Sequence, residues 1–456
     1  MKVAKFGGSS VASAEQIEKV ATVIRNDPDR KFIVVSAPGK RDKDDFKITD
    51  MLIEIASRHE KNQPFDELVP IIMQRFSEMV NKLKLSTTIV EEMEQTIRET
   101  LKSNVPSTLK MDTIKSLGEV FSAKVLSNYL ASLDLEATFL DPKEAGIMVS
   151  DEPGNAQVLP ESFSKLYTLR ENDGVFVIPG FFGYTENEKL VTFSRGGSDI
   201  TGSIVAAGVK ASLYENFTDV DSVYAVNPAI VHQPKQISTI TYKEMRELSY
   251  AGFSVFHDEA LIPAFKEKIP VCIKNTNNPD APGTMVVAEK KPNEQCVVGI
   301  AGDAGFCSLY VSKYLMNREL GFGRKLLQLF EDEHISFEHA PSGIDDMSVV
   351  IRQSELTQEK EKVILRRLQD ELHVDTIKIH RNLAMVMVVG EGMISTIGVA
   401  QKATKAITDA NVNMVMINQG SSEVSMMFGI QEEDLTRAVQ SLYSAFFQEE
   451  KTTVLI

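Results

Sequence analysis

The sequence is poor in cysteine and in positive charge, and each shortage excludes a class of protein. Its 456 residues include only three cysteines, at positions 272, 296 and 307. An odd number without zinc-ligand spacing predicts reduced, buried thiols rather than disulfide bonds or a metal site. The 49 lysines and arginines are outnumbered by 64 aspartates and glutamates, which gives a net charge of −15. Because a polyanion would be repelled, nucleic acid is excluded as the main partner.

Long hydrophobic runs are also absent. The best candidate, residues 175–182, is interrupted by Pro179 and Gly180 and falls short of the roughly 18 apolar residues that span a membrane. The chain opens directly in an apolar strand without the charged region of a signal peptide, so we expect no membrane partner and a cytoplasmic location. A composition of 43% hydrophobic and 25% charged residues is typical of globular proteins.

A turn with two glycines stands at the start of the chain, in Lys5-Phe6-Gly7-Gly8-Ser9-Ser10. An apolar strand precedes it, and the capping box Ser13-Ala14-Glu15-Gln16 predicts a helix after it. Glycines at such a turn let backbone N–H groups approach an anion, and Lys5 adds a positive charge. The lysine precedes the glycines, which fits neither a Rossmann nor a Walker motif. A simple tight turn remains the alternative at this point.

Strands and helices alternate from this turn onward. The apolar run at 31–36 predicts a buried parallel strand, and a helix follows near Thr49. This alternation predicts an α/β fold, a three-layer sandwich with a mainly parallel central sheet, whose ligands collect beyond the carboxyl ends of the strands. Lys5, Ser36 and Thr49 fall at that edge. After a helical excursion, a helix starting at Ser116 places Glu119 in its first turn, where a glutamate usually only complements the helix dipole.

A second glycine turn, Ser194-Arg195-Gly196-Gly197-Ser198-Asp199, enters a helix of small residues. Its guanidinium could grip a carboxylate bidentately, and its Ser/Asp pair could cap the helix. Two such turns in one α/β domain favour a ligand site over two purely structural turns.

The carboxyl-terminal half repeats itself with an offset of 77 residues. Gly321 and Gly398, Ser348 and Ser425, and the pairs at 334 and 411 and at 343 and 420 are all separated by this distance. Each copy is too small to be stable by itself, so the copies should pair with each other or with another subunit.

These motifs, in this order, resemble those of aspartate kinases within the amino-acid kinase family. Gly118-Glu119, the segment Thr218-Asp219-Val220-Asp221-Ser222-Val223-Tyr224 and the run 418–423 match further family motifs, and the repeat resembles tandem ACT domains of ferredoxin-like α+β fold. We therefore expect an amino-acid kinase catalytic domain at 1–290, with the helical excursion at about 62–112, and a linker at 291–297. The first ACT domain is expected at 298–380 and the second at 381–456.

The resemblance implies phosphoryl transfer from ATP, with Mg²⁺, to the side-chain carboxylate of L-aspartate. The product is 4-phospho-L-aspartate, in the first step of lysine, threonine and methionine biosynthesis. Lys5 and Asp199 are implied to be catalytic. The implied substrate residues are Ser36, Thr49, Glu119, Arg195 and Ser198. The implied ATP-binding residues are Lys5, Gly7, Gly8, Ser9, Gly196, Gly197, Thr218, Asp219 and Tyr224. No dedicated metal ligands are expected, since magnesium should arrive with the phosphates.

The tandem ACT domains imply feedback inhibition by an amino-acid effector, lysine and/or threonine, and a homodimer or higher homo-oligomer. The acidic turn at 338–346 suits an ammonium group, although acidic turns are usually only solvated. The implied effector residues are Met316, Glu338, Ser342, Asp345 and Asp346.

Two departures from the family keep alternatives open. Ala229 and Ser254 replace an arginine and a lysine that contact ATP in the family, so Lys235 or Lys274 must compensate or ATP binding is weak or different. A kinase acting on glutamate or N-acetylglutamate would share the glycine turns. A non-catalytic amino-acid sensor would tolerate the loss of both cations.

Overall fold

The computed structural model describes residues 1–194, 196–253, 258–290, 296–420 and 424–448. Arg195, Ser254, most of the expected linker and the end of the 418–423 motif therefore lie outside the described residues. The chain divides into two compact units. The first consists of Met1–Val223, Gln236–Met245 and Ser254–Lys290, and the second of Tyr224–Lys235, Arg246–Phe253 and Lys291–Ile456.

The first unit is built on a mainly parallel sheet. Its strands are Lys2–Phe6 (β1), Arg30–Val35 (β2), Ala137–Phe139 (β3), Val175–Pro179 (β4), Phe182–Tyr184 (β5), Leu190–Thr192 (β6), Leu213–Thr218 (β7), Thr239–Thr241 (β8), Val271–Asn275 (β9) and Thr284–Val287 (β10). Among the described residues, eight of these form one sheet in the order β3-β4-β2-β1-β7-β9-β10-β8. Neighbouring strands are parallel except β9 and β10. Strands β5 and β6 form a separate hairpin.

Helices cover both faces of this sheet. They are Ala14–Arg25 (α1), Ile48–Glu60 (α2), Leu68–Lys82 (α3), Thr88–Lys102 (α4), Ser107–Ser132 (α5), Pro142–Ala145 (α6), Glu161–Thr168 (α7), Gly197–Gly208 (α8), Tyr242–Tyr250 (α9, whose residues from Arg246 onward belong to the second unit) and Ile262–Lys266 (α10). Ala4 and Phe6 share a buried core with α1 to α5. Because side chains alternate along a strand, Lys5 points to the other face, where α8 packs. The predicted three-layer α/β fold is confirmed.

Several boundaries differ from the sequence predictions, and one difference changes the interpretation of a residue. The helix predicted to begin at Ser116 begins at Ser107, directly after Pro106, and continues to Ser132. Glu119 therefore lies in the middle of a buried helix and not in an exposed first turn. Helix α2 begins at Ile48, one residue before Thr49.

Two further sequence-level expectations can be compared with the described residues. All three cysteines are free, but Cys296 is only half-buried, so the prediction of buried thiols is wrong for that residue. Among the described residues, no helix has the length and apolarity needed to cross a membrane.

The second unit is built on an antiparallel sheet. Its strands are Gly299–Ser312 (β11), Phe337–His339 (β12), Asp346–Arg352 (β13), Thr376–Val389 (β14), Met416–Asn418 (β15) and Ser425–Gln431 (β16). Its helices are Phe322–Asp332 (α11), Gln358–Asp370 (α12), Val399–Asp409 (α13) and Leu435–Phe447 (α14). In the described part of the unit the strand order is β12-β13-β11-β14-β16-β15, and every neighbouring pair is antiparallel.

The structure confirms the internal repeat and corrects its spacing. Strands β11 and β14 and helices α11 and α13 start 77 residues apart, at 299 and 376 and at 322 and 399. The last hairpin differs, because Ser348 pairs with Tyr310, whose counterpart Met387 pairs with Met427. The equivalent of Ser348 is therefore Met427 and not Ser425, so the second copy carries two extra residues in this turn. The constant offset was wrong for the hairpin.

The two long strands bear on the expected domain boundaries. Strand β14 runs from Thr376 to Val389 and so crosses the expected boundary between 380 and 381. The beginning of β11 pairs with the end of β14, with Gly299 opposite Val389. The long strands β11 and β14 thus pair across both copies of the repeat, so a boundary drawn at a single residue does not separate the two copies. The exact domain boundaries stay a prediction.

Candidate active site

The first glycine turn places a buried lysine at the carboxyl edge of the sheet. Lys5 is the fourth residue of β1, and its Nζ lies 2.6 Å from Oδ1 of Asp199. Only 8% of the Lys5 side chain is exposed. Asp199 lies in the first turn of α8. The two residues predicted to be catalytic therefore form an ion pair in a poorly solvated position, where the lysine's charge is weakly screened.

Asn216 on the neighbouring strand holds this pair and was missed in the sequence. It stands opposite Lys5 in the register of β1 and β7, and its Nδ2 donates to Asp199 Oδ1 at 2.6 Å. Tyr214 donates its hydroxyl to the Asp199 carbonyl at 3.2 Å, and burial raises the pKa of Tyr214, which keeps this donor protonated. A buried amide within an otherwise apolar strand was the available signal, because such a group needs a partner.

We expect Asn216→Leu to lower kcat by about tenfold, the effect of one lost buried hydrogen bond of roughly 1–1.5 kcal/mol. The physical reason is that Asp199 would lose a fixed donor and would hold Lys5 less firmly. Steady-state assays on protein that passes a thermal-unfolding check would measure it. An unchanged kcat in the folded variant would show that Lys5 alone keeps Asp199 in place.

The turn after β1 is held tightly by its own neighbours. Gly7 donates its N–H to the Phe217 carbonyl at 3.0 Å, and a short 3₁₀ helix runs from Gly8 to Val11. A Cβ on Gly8 would lie 2.9 Å from the carbonyl oxygen of Ala37. The second glycine is therefore required by the close approach of the loop after β2. Contact of Gly7, Gly8 and Ser9 with ATP stays a prediction.

The second glycine turn packs against a strained residue. Gly196 adopts φ +78° as the N-cap of α8, and a Cβ on Gly197 would lie 2.5 Å from the ring of Phe181. Phe181 itself has φ +80°, and its N–H donates to Thr201 Oγ1 at 2.9 Å. Ser198, predicted to bind substrate, is buried beside Gly180. A non-glycine residue held at positive φ beside this turn is a candidate site residue that the sequence did not reveal.

Asp112 fixes the hairpin that leads into the same turn. Its Oδ2 accepts the N–H groups of Thr192 at 2.8 Å and Gly154 at 3.0 Å, while its Oδ1 lies 2.8 Å from Lys115 Nζ. Thr192 stands three positions before Arg195, which lies outside the described residues. Asp112 on α5 thus provides a buried anchor for the end of β6.

Glu119 is a buried carboxyl group with a free acceptor. The residue is 5% exposed, and its Oε2 atom has no hydrogen-bond partner among the described residues. Burial raises the pKa of Glu119 to about 8, although a hydrogen bond from the Ala37 backbone acts in the opposite direction. An unpaired acceptor in such a position is costly unless a ligand supplies a donor.

Gly118 explains how this carboxyl group meets the predicted substrate residues. A Cβ at Gly118 would lie 2.6 Å from the Ala37 side chain and 3.4 Å from Ile48. These two residues are the chain neighbours of Ser36 and Thr49. The missing side chain lets α5, the helix that carries Glu119, pack closely against the two segments that contain Ser36 and Thr49.

The predicted nucleotide segment is joined to the first glycine turn by a residue that the sequence analysis missed. Thr276 donates its N–H to the Thr218 carbonyl at 3.0 Å, and its hydroxyl lies 2.6 Å from that of Ser10. Asn275 donates to Asp221 at 2.7 Å. Thr218 is thus linked through Thr276 to the first glycine turn, and Asp219 directly follows it. Tyr224 belongs to the second compact unit.

The two lysines proposed to replace the missing family cations fall in different units. Lys274 lies near the end of β9 in the first unit, beside Asn275. Lys235 belongs to the second unit, where it lines a cavity of about 680 Å³ together with Lys402 and Phe446. Of the two, only Lys274 shares a unit with Thr218.

The predicted effector residues lie in the first copy of the repeat, and two of their carboxylates are engaged. Glu338 accepts from the Tyr250 hydroxyl and from Arg352 Nε at 3.4 Å. Asp345 accepts the N–H of Leu315 at 2.9 Å. Of the other predicted effector residues, Met316 is buried, Ser342 lies in the turn before β13 and Asp346 is the first residue of β13. Their role stays a prediction.

Among the described residues, no group of three or more histidine, cysteine, aspartate or glutamate side chains could hold a metal ion. Magnesium that arrives with the nucleotide phosphates and keeps its waters stays a prediction.

Comparison with known proteins assigns the family. The model of the amino acid kinase family matches residues 1–275, and an ACT domain model matches residues 386–446. Aspartokinase 3 of Bacillus subtilis is 52% identical over 450 residues, which cover 98% of this chain and 99% of that protein. The chain belongs to the aspartokinases of the amino acid kinase family. It is therefore an ATP-dependent kinase, as the sequence predicted.

Solved aspartokinases have the same fold. The crystal structure of Clostridium acetobutylicum aspartate kinase matches with a TM-score of 0.87 and 40% identity, covering 98% of this chain and 100% of that one. Escherichia coli aspartokinase III, solved with aspartate and ADP and also with lysine and aspartate, matches with a TM-score of 0.79. At 24% identity and the same coverage, the latter likeness shows the fold alone.

Proposed function

We propose that this aspartokinase transfers the terminal phosphoryl group of ATP to the side-chain carboxylate of L-aspartate and forms 4-phospho-L-aspartate. The observation that carries the proposal is Glu119, a buried carboxyl group whose Oε2 has no hydrogen-bond partner in the described part of the chain. Its helix packs against the segments that contain Ser36 and Thr49. An amino acid offers the ammonium that such an oxygen lacks. The E. coli relative bound to aspartate and ADP supports the same pair of ligands.

For this reaction the protein must hold two anions close together, the aspartate carboxylate and the terminal phosphate of ATP. A carboxylate acceptor with a pKa of about 4 is already ionised at neutral pH and needs no general base. Lys5, the N–H group of Gly8 and the N-terminus of α8 would offset the charge on the transferring phosphoryl group, while Gly7, whose N–H is donated to Phe217, shapes the turn. Asp199, held by Asn216, would keep the Lys5 ammonium in position. Magnesium would supply further charge neutralisation on the phosphates.

The remaining predicted residues would orient the two substrates. Arg195 would bind the α-carboxylate of aspartate and Glu119 its ammonium, with Ser36, Thr49 and Ser198 completing the acceptor site. For ATP, we infer contacts from the two glycine turns and from a further set: Ser9, Thr218, Asp219 and Tyr224. Lys274 is the better placed replacement for the missing family cations.

Regulation and assembly complete the proposal. We infer feedback inhibition by lysine and/or threonine through the ACT copies, within lysine, threonine and methionine biosynthesis, and a homodimer or higher homo-oligomer. The E. coli relative solved with lysine supports an amino-acid effector. The cytoplasmic location stays a prediction.

The deciding experiment measures ADP release from Mg-ATP with L-aspartate, L-glutamate, N-acetyl-L-glutamate or no acceptor. We expect turnover with aspartate, suppressed by lysine or threonine added singly or together. Turnover with glutamate or N-acetylglutamate instead would overturn the acceptor assignment. No turnover, together with calorimetric binding of lysine, would favour the non-catalytic sensor.

A further inference from the structure

Arg75 is a buried arginine in the helical excursion, and the proposed mechanism gives it no role. It lies on α3, and only 2% of its side chain is exposed. Burying a guanidinium is unfavourable unless its donors are satisfied. Its Nε has no hydrogen-bond partner among the described residues, so the partners of Nη1 and Nη2 identify what it holds.

The hydrogen bonds of Arg75 end on main-chain carbonyls around the first glycine turn. Nη1 donates to Phe46 at 2.9 Å, and Nη2 donates to Ala12 at 3.0 Å and to Gly39. Ala12 directly follows the short helix of the glycine turn. Gly39 and Phe46 lie near the two ends of the segment 37–47, which we call the clasp loop. One planar guanidinium thus joins the clasp loop to the glycine turn.

Charged side chains attach the clasp loop to α3 as well. Asp45 Oδ2 lies 3.3 Å from Arg75 Nη1 and accepts from Arg41 Nε at 2.9 Å. The hydrogen bond from Arg41 holds the pKa of Asp45 well below its usual range. Arg41 also reaches Glu78 on α3 at 3.3 Å. The loop is therefore fixed to the excursion by more than one contact, with Arg75 as the buried one.

The clasp loop in turn touches the residues of the proposed reaction. Gly39 donates its N–H to the Gly8 carbonyl at 2.8 Å, and a Cβ on Gly39 would lie 2.8 Å from the Gly8 carbonyl carbon. At its other end, Ile48 donates to the Pro38 carbonyl at 3.3 Å. Ser36 and Thr49 flank the loop. Its position therefore sets the separation between the glycine turn and these two residues.

We propose that Arg75 is a positioning residue that holds the clasp loop across the glycine turn and so aligns Ser36 and Thr49 with the phosphoryl-transfer centre. This inference rests on the proposed function, because it assumes that Ser36 and Thr49 bind the acceptor. An arginine that served stability alone would lower the unfolding temperature when replaced but would leave the kinetics of folded enzyme unchanged.

Arg30 provides the matched control. It is also buried, with 9% of its side chain exposed, and it donates to both carboxylate oxygens of Glu215 at 2.6 and 2.9 Å. It begins β2, at the end of the strand away from Ser36. Methionine and lysine variants at both positions, in the full-length chain, compare two buried arginines at opposite ends of one sheet.

We expect Arg75→Met to lower kcat/KM for aspartate by about tenfold to a hundredfold, because a misplacement near 1 Å has effects of this size. The KM for aspartate should rise and kcat should fall, while the KM for ATP stays near that of the wild type. Arg75→Lys keeps the charge but not the planar guanidinium, so its kcat/KM for aspartate should lie between the values of Arg75→Met and the wild type. Both Arg30 variants should unfold at lower temperature with kinetics like the wild type.

Hydrogen exchange gives a measurement that does not depend on activity. In substrate-free protein, the amides of residues 36–48 should exchange faster in both Arg75 variants than in the wild type or the Arg30 variants. If Arg75→Met does not fold, Arg75→Lys carries the test.

Three outcomes would overturn the proposal in different ways. Wild-type kinetics in a folded Arg75 variant would reduce Arg75 to a stabilising residue. Equal kinetic losses at Arg75 and Arg30 would do the same. Unchanged exchange at residues 36–48 in both Arg75 variants would refute the hold on the loop. A wild type without aspartate-dependent turnover would instead overturn the proposed function.

Discussion

Replacing Lys5 by methionine should lower kcat for aspartate-dependent ADP release on the order of a thousandfold, the upper end for removing one preorganised group that stabilises a transition state. The Lys5 ammonium is fixed by Asp199 at 2.6 Å, and its side chain is 8% exposed, so little water screens it. Its charge matters most when negative charge develops on the transferring group. The KM for aspartate should change much less than kcat, because aspartate is assigned to other residues.

Lys2 is the control for this experiment. It lies at the start of the same strand and pairs with Asp27 at 2.6 Å, the same distance as in the Lys5 pair, with 27% of its side chain exposed. Lys2→Met removes a comparable ion pair at the opposite end of β1 and should leave kcat near the wild-type value. A Lys5→Met enzyme that is folded and retains more than about a tenth of wild-type kcat would contradict the assigned electrostatic role.

Features that depend on neighbouring residues in the chain were well predicted from the sequence. The glycine turns, the strand that carries Lys5 and the alternation that predicts a three-layer sheet are all local patterns. Ser13 does cap α1, accepting the Gln16 N–H at 3.4 Å. The helix boundary that failed had a local cause too, because α5 begins at Ser107, directly after Pro106, and not at the predicted Ser116.

Features that depend on residues far apart in the chain were missed. Asn216 stands opposite Lys5 only because β1 and β7 are neighbours in the sheet, and it reaches Asp199 only because α8 packs on β7. Arg75 reaches Gly39 and Phe46 only because α3 packs against the loop after β2. No periodicity in a single sequence reports such contacts. The two extra residues in the last hairpin were likewise hidden, since matching residue types at 348 and 425 imitated a constant spacing.

The raised pKa of Glu119 predicts that kcat/KM for aspartate depends strongly on pH. With a pKa of about 8 in the ligand-free enzyme, this carboxyl group is mostly neutral at pH 7, with about one-tenth ionised. Only the ionised form attracts the ammonium of aspartate strongly. The value of kcat/KM for aspartate should therefore rise about tenfold per pH unit below 8 and level off above it, because this parameter reports the pKa of the free enzyme.

The same shift has a consequence for stability, and its sign is opposite to that of an ordinary ion-paired carboxylate. The reference pKa of the group is 4.5, and the folded value is about 8, so between these values the folded state holds a proton that the unfolded state has lost. Stability of the ligand-free protein falls as pH rises through this window. Aspartate should oppose the loss, so the rise in unfolding temperature at a fixed aspartate concentration should grow from pH 6 towards pH 8.

Glu119→Gln tests whether Glu119 binds the ammonium of aspartate and whether its ionisation causes the pH dependence of kcat/KM. It keeps the shape and one donor-acceptor pair but never ionises, so the KM for aspartate should rise on the order of a hundredfold, as for other charge partners lost from buried sites, and the pH dependence should flatten. Asp141 is the matched control, since burial raises its pKa as well and asparagine caps a helix as effectively as aspartate. Asp141→Asn should keep the wild-type profile. A pH profile in Glu119→Gln that still rises towards 8 would assign the titration to another group and would remove Glu119 from the ammonium site.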